Sequence, residues 1–325
     1  MATYNSVQLS NPDLLPVEYA AEVIRDLPAA SAALALSRRV NMPARTQVLP
    51  VLSVLPTAYW VSGQSQDSTG LKQTSKAEWK NVNLIVDEIA VLVPIPDAYM
   101  QDSQFPVWEE TRPLIVEAIG AAIDAAILFG VNKPAVWTSA PIYQGCHAAG
   151  NVTLSTAGTD LGQVVAHAAR DLKKNDGYRV TGFASEPGLQ WELVGLRNQD
   201  GTPIYTNSLP GAIPTGLYGF PLREVENGSW DSDEAKLIMG DWSKSIIGVR
   251  QDITFTRHDS GVINDDEGKV VFNAMQQDST IWRAVMRLAW ATANPANRIA
   301  ADQTATGAGR WPWWAILNAS TYDYS

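Results

Sequence analysis

Hydrophobic and polar positions indicate two long strands in the second half of the chain. Residues 240–260 and 270–295 are rich in β-branched and aromatic residues, and the polar sequence INDDEGK at 263–269 separates them. Turn residues such as Asp259 and Gly268 lie where such strands end, in positions that often carry catalytic side chains in enzymes. The pattern therefore predicts strands that pair and pack.

A second pair of apolar runs predicts an extended hairpin. Residues 46–61 and 77–96 are rich in valine and isoleucine, and a polar segment with Gly and Ser lies between them. A hairpin of about 50 residues is large for a turn within a compact domain. Apolar residues of both parities in the return strand indicate that both faces are partly covered near the base of the hairpin.

Helical spacing occurs in three places. A short helix around residues 20–27 has apolar positions at i, i+3, i+4 and i+7, and needs another surface to lie against. A long helix is predicted from Trp108 to Phe129, and Gly130 ends it. Pro113 means that either its first turns are kinked or the regular helix begins near Arg112. A third helix spans 161–174. Further strands are predicted at 180–184, 217–225 and 237–239.

Composition indicates a protein whose surface is covered by neighbours. Charged residues are only 18% of the chain, and the net charge of −10 argues against a sequence-independent grip on phosphate backbones. One cysteine, Cys146, excludes an intramolecular disulfide. The sequence shows neither a secretory signal nor a membrane-spanning segment, so we expect no membrane partner.

No constellation of residues predicts catalysis, a metal site or a cofactor. Cys146 and His147 are adjacent, but neighbouring side chains rarely point at each other, so a buried thiol is the better interpretation. The acidic residues at 265–267 are contiguous, whereas the ligands of a calcium loop alternate, so they predict a hairpin turn. The 12 tryptophans are spread along the chain, which favours core and interface packing.

The order of these elements resembles one known family. The helix ending AAIDAAILFG, the GDW at 240–242 with Gly248 and Arg250, and the pattern Phe272, Asn273, Arg283, Arg287 are its most specific pieces. With this order, the chain is similar over about residues 12–300 to tailed-phage major capsid proteins of the fold named after phage Hong Kong 97. The implied fold class is α+β.

The resemblance also implies a domain organisation. Residues 1–40 would form an N-terminal arm and residues 45–96 an extended loop hairpin. The peripheral domain would comprise 97–135, with a long spine helix, together with 252–300. An α/β axial domain would span 136–251. Residues 301–325 would be a C-terminal tail, and we expect its tryptophans 311, 313 and 314 to dock on this subunit or a neighbour because WPWW is too apolar for water.

The function implied by the resemblance is structural. Copies would assemble through hexamers and pentamers into an icosahedral shell that encloses double-stranded DNA without binding it specifically, in the virion and earlier in the host cytoplasm. Scaffolding, portal and decoration proteins are further partners of such shells. The inter-subunit contacts suspected on the hairpin are Trp60, Lys72, Lys76 and Trp79. Some family members cross-link a loop lysine, but nothing in this sequence identifies the acceptor.

Two other interpretations remain open from the sequence. One keeps the fold and makes the chain an encapsulin-like compartment shell. The other is a β-rich carbohydrate-binding or hydrolytic protein that uses its tryptophans, although the sequence offers no convincing pair of carboxylates for hydrolysis.

Overall fold

The computed structural model describes residues 31–58, 74–102, 107–155, 161–195, 216–265, 267–299 and 309–318. The predicted arm helix at 20–27 lies outside these residues. The described chain combines helices with a four-stranded sheet, a six-stranded sheet and two separate two-stranded hairpins. This is the α+β class that the sequence predicts.

A four-stranded sheet contains the two longest strands of the chain. Strand β10 (Ser245–His258) pairs antiparallel with β13 (Ser279–Thr292). Each predicted run thus contains one long strand, but the second run is not continuous, because a turn at 274–278 precedes β13. Strand β1 (Arg38–Asn41) lies parallel to β10 on one edge. Strand β4 (Asp87–Pro96) pairs antiparallel with β13 on the other edge. Because β10 runs through position 252, no strand boundary coincides with the domain boundary predicted there.

The long helix packs on one face of this sheet. Helix α3 (Val107–Asp124) continues as a π-helical turn (Ala125–Phe129) and ends at Gly130, whose φ of 82° is the left-handed conformation that favours glycine. The helix begins before Pro113 and contains it, whereas the sequence left open a start near Arg112. Ile115, Ile119 and Ile123 are buried among side chains of β13 and β4, forming the main core.

The remaining short helices connect the larger elements. Helix α1 (Ala32–Leu36) precedes β1, and α2 (Asp97–Asp102) follows β4. Helix α4 (Ile142–Ala149) follows the long helix. Helix α5 (Leu161–Asp171) ends in a π-helical turn (Leu172–Asp176), close to the predicted range, and α6 spans Leu189–Gly195.

A six-stranded sheet forms the second part of the fold. Its order is β5 (Val152–Ser155), β14 (Trp313–Asn318), β9 (Leu237–Gly240), β6 (Gly182–Ser185), β8 (Phe220–Glu224) and β7 (Gly216–Leu217). Leu161, Val165 and Leu193 from α5 and α6 pack against this sheet in a second core. The predicted strand at 217–225 is a tight hairpin of β7 and β8.

The two hairpins differ from the sequence-based expectation. Strand β2 (Thr46–Val54) pairs with β3 (Glu78–Ile85), but the return strand predicted at 77–96 is two strands, because β4 leaves the hairpin after Val86 and joins the sheet beside β13. The turn predicted at 263–269 lies within a separate small hairpin of β11 (Val262–Asn264) and β12 (Val270–Asn273). The sequence predicted a single turn here and not this hairpin, because the hairpin strands are only three and four residues long.

Candidate assembly surfaces

The β2–β3 hairpin buries one of its faces on its own chain. Alternate residues, including Leu49, Val51, Val82 and Leu84, pack with Ile246, Ala289 and Ala291 on the sheet face opposite the long helix. The backbone N–H of Ala296 donates to the carbonyl of Leu52 at 2.8 Å. The base of the hairpin is therefore fixed to the body of the same subunit on one face. The apolar residues of both parities that predicted two covered faces lie mostly in β4, which belongs to the four-stranded sheet and not to the hairpin.

The other face of the hairpin is exposed and carries apolar side chains beside polar ones such as Asn81 and Asn83. Trp79, which pairs with Leu52, is 67% exposed, and Val48 is 49% exposed. Lys76 forms an exposed ion pair with Glu78. Trp60 and Lys72 lie outside the described residues. Of the four suspected contacts, Trp79 thus combines the largest apolar side chain with a position on a fixed strand.

A buried carboxylate joins the start of the described chain to the long helix. Asp124 accepts hydrogen bonds from the Ser31 hydroxyl at 2.7 Å and from the backbone N–H groups of Ala32 and Ala33 at 3.0 and 2.9 Å. The Asn227 amide donates to it at 2.9 Å. Burial raises the pKa of Asp124 above its usual value, and the hydrogen bonds oppose this rise.

Asp124 was not among the residues predicted from the sequence, although a signal was present. It is the only charged residue of the apolar run AAIDAAILFG at the end of the long helix. A lone carboxylate in such a position needs several donors to offset the cost of burial. Here the donors belong to helix α1 and to the loop after β8, so one side chain connects three segments.

The C-terminal tryptophans dock on this subunit. Trp313 is fully buried, and Trp314 and Ile316 contribute to the second core. Strand β14 lies between β5, to which it is parallel, and β9, to which it is antiparallel. The docking predicted for the tail is confirmed for its own subunit, but the segment is a central strand of a sheet rather than an appended tail.

Buried polar groups fix the chain just before β14. The Asn151 amide donates to the carboxylate of Asp176 and to the carbonyls of Trp311 and Trp313, the latter two at 3.2 Å. Arg310 is buried, donates to the carbonyl of Pro295 at 2.8 Å and lies over the ring of Tyr178. Burial raises the pKa of Tyr178, so the phenol stays protonated.

The adjacent Cys146 and His147 do not form a nucleophile and base. Cys146 is buried, and burial raises the pKa of its thiol well above the usual value, which disfavours the reactive thiolate. The His147 ring instead hydrogen-bonds the Tyr143 hydroxyl at 3.0 Å. This agrees with the interpretation of Cys146 as a packed thiol.

Asp265 and Glu267 lie in a turn, and Asp266 lies outside the described residues. The Asp265 carboxylate accepts from the backbone N–H groups of Glu267 and Lys269 at 3.1 and 2.7 Å. Within the described ranges, no cluster of three or more acidic, His or Cys side chains could hold a metal ion. None of the helices described above is long and apolar enough to span a membrane.

Comparison with known proteins identifies the family. Residues 12–300 match the phage capsid family. This chain belongs to the phage capsid family. The matched range agrees with the extent of the resemblance predicted from the sequence, and it includes every described element before β14.

Individual relatives support the membership. The curated major capsid protein of Staphylococcus phage 80alpha is 26% identical over 246 residues, which cover 72% of this chain and 68% of the relative. A solved chain from Microbacterium phage Oxtober96 is 33% identical, with a TM-score of 0.75 over 97% of this chain and 96% of the other. One from Mycobacterium phage Adephagia is 26% identical, with a TM-score of 0.77 over 95% and 96% of the two chains.

These relatives decide between the interpretations that the sequence left open. They favour a phage capsid over an encapsulin-like compartment or a carbohydrate-active protein. Proteins of the phage capsid family are structural and form the shell of the virion. The assignment to the Hong Kong 97 fold in particular stays a prediction.

Proposed function

We propose that this chain is the major capsid protein of a tailed phage, and that its copies assemble through hexamers and pentamers into an icosahedral shell. The observation that carries the proposal is family membership over residues 12–300, together with a similar solved phage chain that matches almost the whole length. The structure adds a physical argument in the β2–β3 hairpin.

One-sided burial of the hairpin fits a subunit that is completed by its neighbours. A two-stranded hairpin is marginally stable alone, and its inner face gains stability from its own chain. The outer face leaves Trp79 and Val48 in water. Tryptophan is enriched in the contacts that dominate binding between proteins. A neighbouring copy that covers this face would bury these apolar side chains. Repeated contacts of this heterologous kind close into rings.

The charge of the chain fits a container for DNA rather than a DNA-binding protein. With 24 basic and 34 acidic residues, the net charge is −10, so the shell would enclose double-stranded DNA without specific binding. We expect scaffolding, portal and decoration proteins as further partners. The chain would reside in the virion, after assembly in the host cytoplasm, and would perform no reaction.

The domain roles are part of the same proposal. Residues 1–40 would act as the N-terminal arm, and Asp124 would anchor its end to the spine helix α3. Residues 45–96 would be the extended loop, which contains the β2–β3 hairpin and strand β4. The sheet of β10 and β13 with α3 would form the peripheral domain, and the six-stranded sheet would belong to the axial domain.

Electron microscopy of the purified chain tests the proposal. After expression alone and together with candidate scaffolding proteins, size-exclusion chromatography and negative staining should show rings or hollow particles of uniform size. A chain that stays monomeric under both conditions, at concentrations where related capsid proteins assemble, would contradict the proposal.

A further inference from the structure

A cavity lies between the end of the long helix and the four-stranded sheet. Its volume is about 180 Å³. Ile123 and Ala126 line it from the helix, Ile89 lines it from β4, and Leu288 lines it from β13. Most of its walls are therefore apolar. An apolar cavity of about 150 Å³ in another protein binds benzene, so this one has room for a molecule of slightly greater size.

A π-helical turn borders the cavity. Ala125 and Ala126 line the cavity and begin this turn. The carbonyl of Ala125 accepts hydrogen bonds from the N–H groups of Gly130 and Val131 at 2.9 and 3.1 Å. Single π-helical turns at the end of or within an α-helix occur frequently at functional sites. The cavity thus lies beside a feature that is typical of binding sites.

The loop after the helix forms another wall and is fixed by hydrogen bonds. Val131, Pro134 and Trp137 line the cavity from this loop. The Lys133 ammonium donates to the carbonyls of Trp137 and Ser139 at 2.8 and 2.7 Å. The backbone N–H of Trp137 donates to the carbonyl of Pro134 at 3.0 Å. Because these walls are ordered before binding, a ligand that enters costs little conformational entropy.

One buried donor in the cavity wall has no acceptor. Trp137 is only 4% exposed, and its indole N–H is buried without a hydrogen-bond partner among the described residues. Buried polar groups are nearly always paired, because an unpaired one carries the full cost of its desolvation. The indole N–H groups of Trp282 and Trp313 are also unpaired, but neither residue lines the cavity. At Trp137, a molecule in the cavity would supply the missing acceptor.

The charges that line the cavity disfavour a charged ligand. Asp87 and Glu88 contribute to the lining from the start of β4. Glu88 is paired with Arg287, whose Nε donates to its carboxylate at 2.7 Å. The carboxylate of Asp87 accepts from the N–H of Glu88 at 3.0 Å, and among the described residues it has no cationic partner. An anion would be repelled by Asp87, and an ion of either sign would lose its hydration against the apolar walls.

We propose that this cavity binds an uncharged, compact apolar molecule, of the size of a substituted benzene, that carries one oxygen acceptor for the indole N–H of Trp137. The molecule would contact both the π-helical turn and the sheet. Because it would bind only the folded chain, it would stabilise that chain. The site lies within one subunit, so this proposal does not rest on the proposed function and its test does not require assembly.

Three probes of similar size test the chemistry of the ligand. Acetophenone has a carbonyl where α-methylstyrene has a CH₂ group, and benzoate has a negative charge. Thermal unfolding of the purified chain at increasing concentrations of each probe gives its affinity for the folded state. We expect acetophenone to bind about two- to tenfold more tightly than α-methylstyrene, and benzoate to have no effect. Equal affinities of the two uncharged probes, stabilisation by benzoate, or no stabilisation by acetophenone would each overturn the proposal.

A pair of helix variants tests whether the probe binds in this cavity. Ala122 is exposed and lines the cavity, so Ala122→Phe should obstruct it and weaken acetophenone binding at least about tenfold. Ala118→Phe is the matched control, because Ala118 is exposed on the same helix but does not line the cavity. It should bind acetophenone as the wild-type chain does. Wild-type affinity in Ala122→Phe, or the same loss in both variants, would contradict the location.

A third variant tests the role of the indole N–H. Trp137→Phe keeps an aromatic ring in the wall and removes the donor. The ratio of the affinities for acetophenone and α-methylstyrene should therefore fall to about one, whereas a loss of packing alone would weaken both probes and leave the ratio unchanged. Circular dichroism of the variant verifies that it is folded. A ratio that stays at its wild-type value would contradict the role of Trp137.

Discussion

The β2–β3 hairpin and strand β14 are both apolar segments that pack on the body of the subunit, but they differ in how much of each is buried. Strand β14 has strands on both sides and its side chains are buried within one subunit. The hairpin buries its inner face and exposes Trp79 on the outer one. An apolar segment that is fully buried contributes to folding, whereas we propose that the exposed side of the hairpin contacts a neighbouring copy. On this proposal, β14 stabilises the subunit and the outer face of the hairpin joins subunits.

The largest effect is expected at β14. Trp313→Ala would leave a cavity in the centre of the main core and lower the free energy of unfolding by about 3–5 kcal/mol. Denaturant unfolding of the isolated subunit measures this value, and soluble yield should fall with it. A loss below about 1 kcal/mol would show that β14 is not a central strand of the folded subunit.

A somewhat smaller loss is expected at Asp124. Asp124→Ala removes the acceptor of the Ser31 hydroxyl and of two backbone N–H groups, and should cost about 3 kcal/mol. Thermal unfolding of the subunit measures the loss. Asn227→Ala, which removes one of the donors and leaves the carboxylate with the others, is the matched control and should cost less.

The same site should give stability a dependence on pH. The pKa of Asp124 is raised above 3.8 in the folded chain, so between the two pKa values the folded state holds more protons than the unfolded one. The free energy of unfolding should therefore decrease as pH rises from about 3.8 to the folded pKa. In Asp124→Asn this contribution should be absent. Identical pH profiles for the two proteins would show that folding does not raise the pKa of Asp124.

At the β2–β3 hairpin, we expect one substitution to impair assembly without changing the stability of the subunit. Trp79→Ala should change the stability of the subunit by less than about 0.5 kcal/mol, because the side chain is exposed, yet lower the yield of particles strongly. Chromatography and electron microscopy of the same preparation measure both effects. Full assembly of this variant would remove Trp79 from the inter-subunit contact.

The smallest effect is expected at Lys76. Its ion pair with Glu78 is exposed, so Lys76→Ala should change stability by less than about 1 kcal/mol. Heating wild-type particles in denaturant before gel electrophoresis shows in addition whether loop lysines are cross-linked. We expect monomer, and a ladder of linked chains that is absent in Lys76→Ala would contradict this.

The sequence predicted the elements whose pattern is long and regular. The stripe of Ile115, Ile119 and Ile123 predicted the long helix, and Gly130 predicted its end because only glycine readily adopts the left-handed conformation there. The strands β10 and β13 were predicted from runs of β-branched and aromatic residues. In each case the signal is local, so it can be read from one segment.

The local pattern of hydrophobic and polar residues could not predict which strands pair with each other. Asp87 interrupts the apolar pattern after Val86, but one polar residue does not show that the chain leaves one sheet and enters another there. The apolar WPWW segment predicted docking, but not its insertion between β5 and β9, which are far away in sequence. Trp79 was predicted as a contact residue from its place in the hairpin, and its exposure is consistent with that role. Asp124 was missed because its donors come from distant segments.

The position of β14 has a consequence for synthesis of the subunit. Its five companion strands emerge from the ribosome first, so the sheet contains a gap between β5 and β9 until residues 313–318 arrive. A chain interrupted earlier would keep two unsatisfied strand edges in its interior, and such edges promote aggregation. We therefore expect truncated translation products that lack β14 to be excluded from assembly, because the six-stranded sheet is incomplete without this strand.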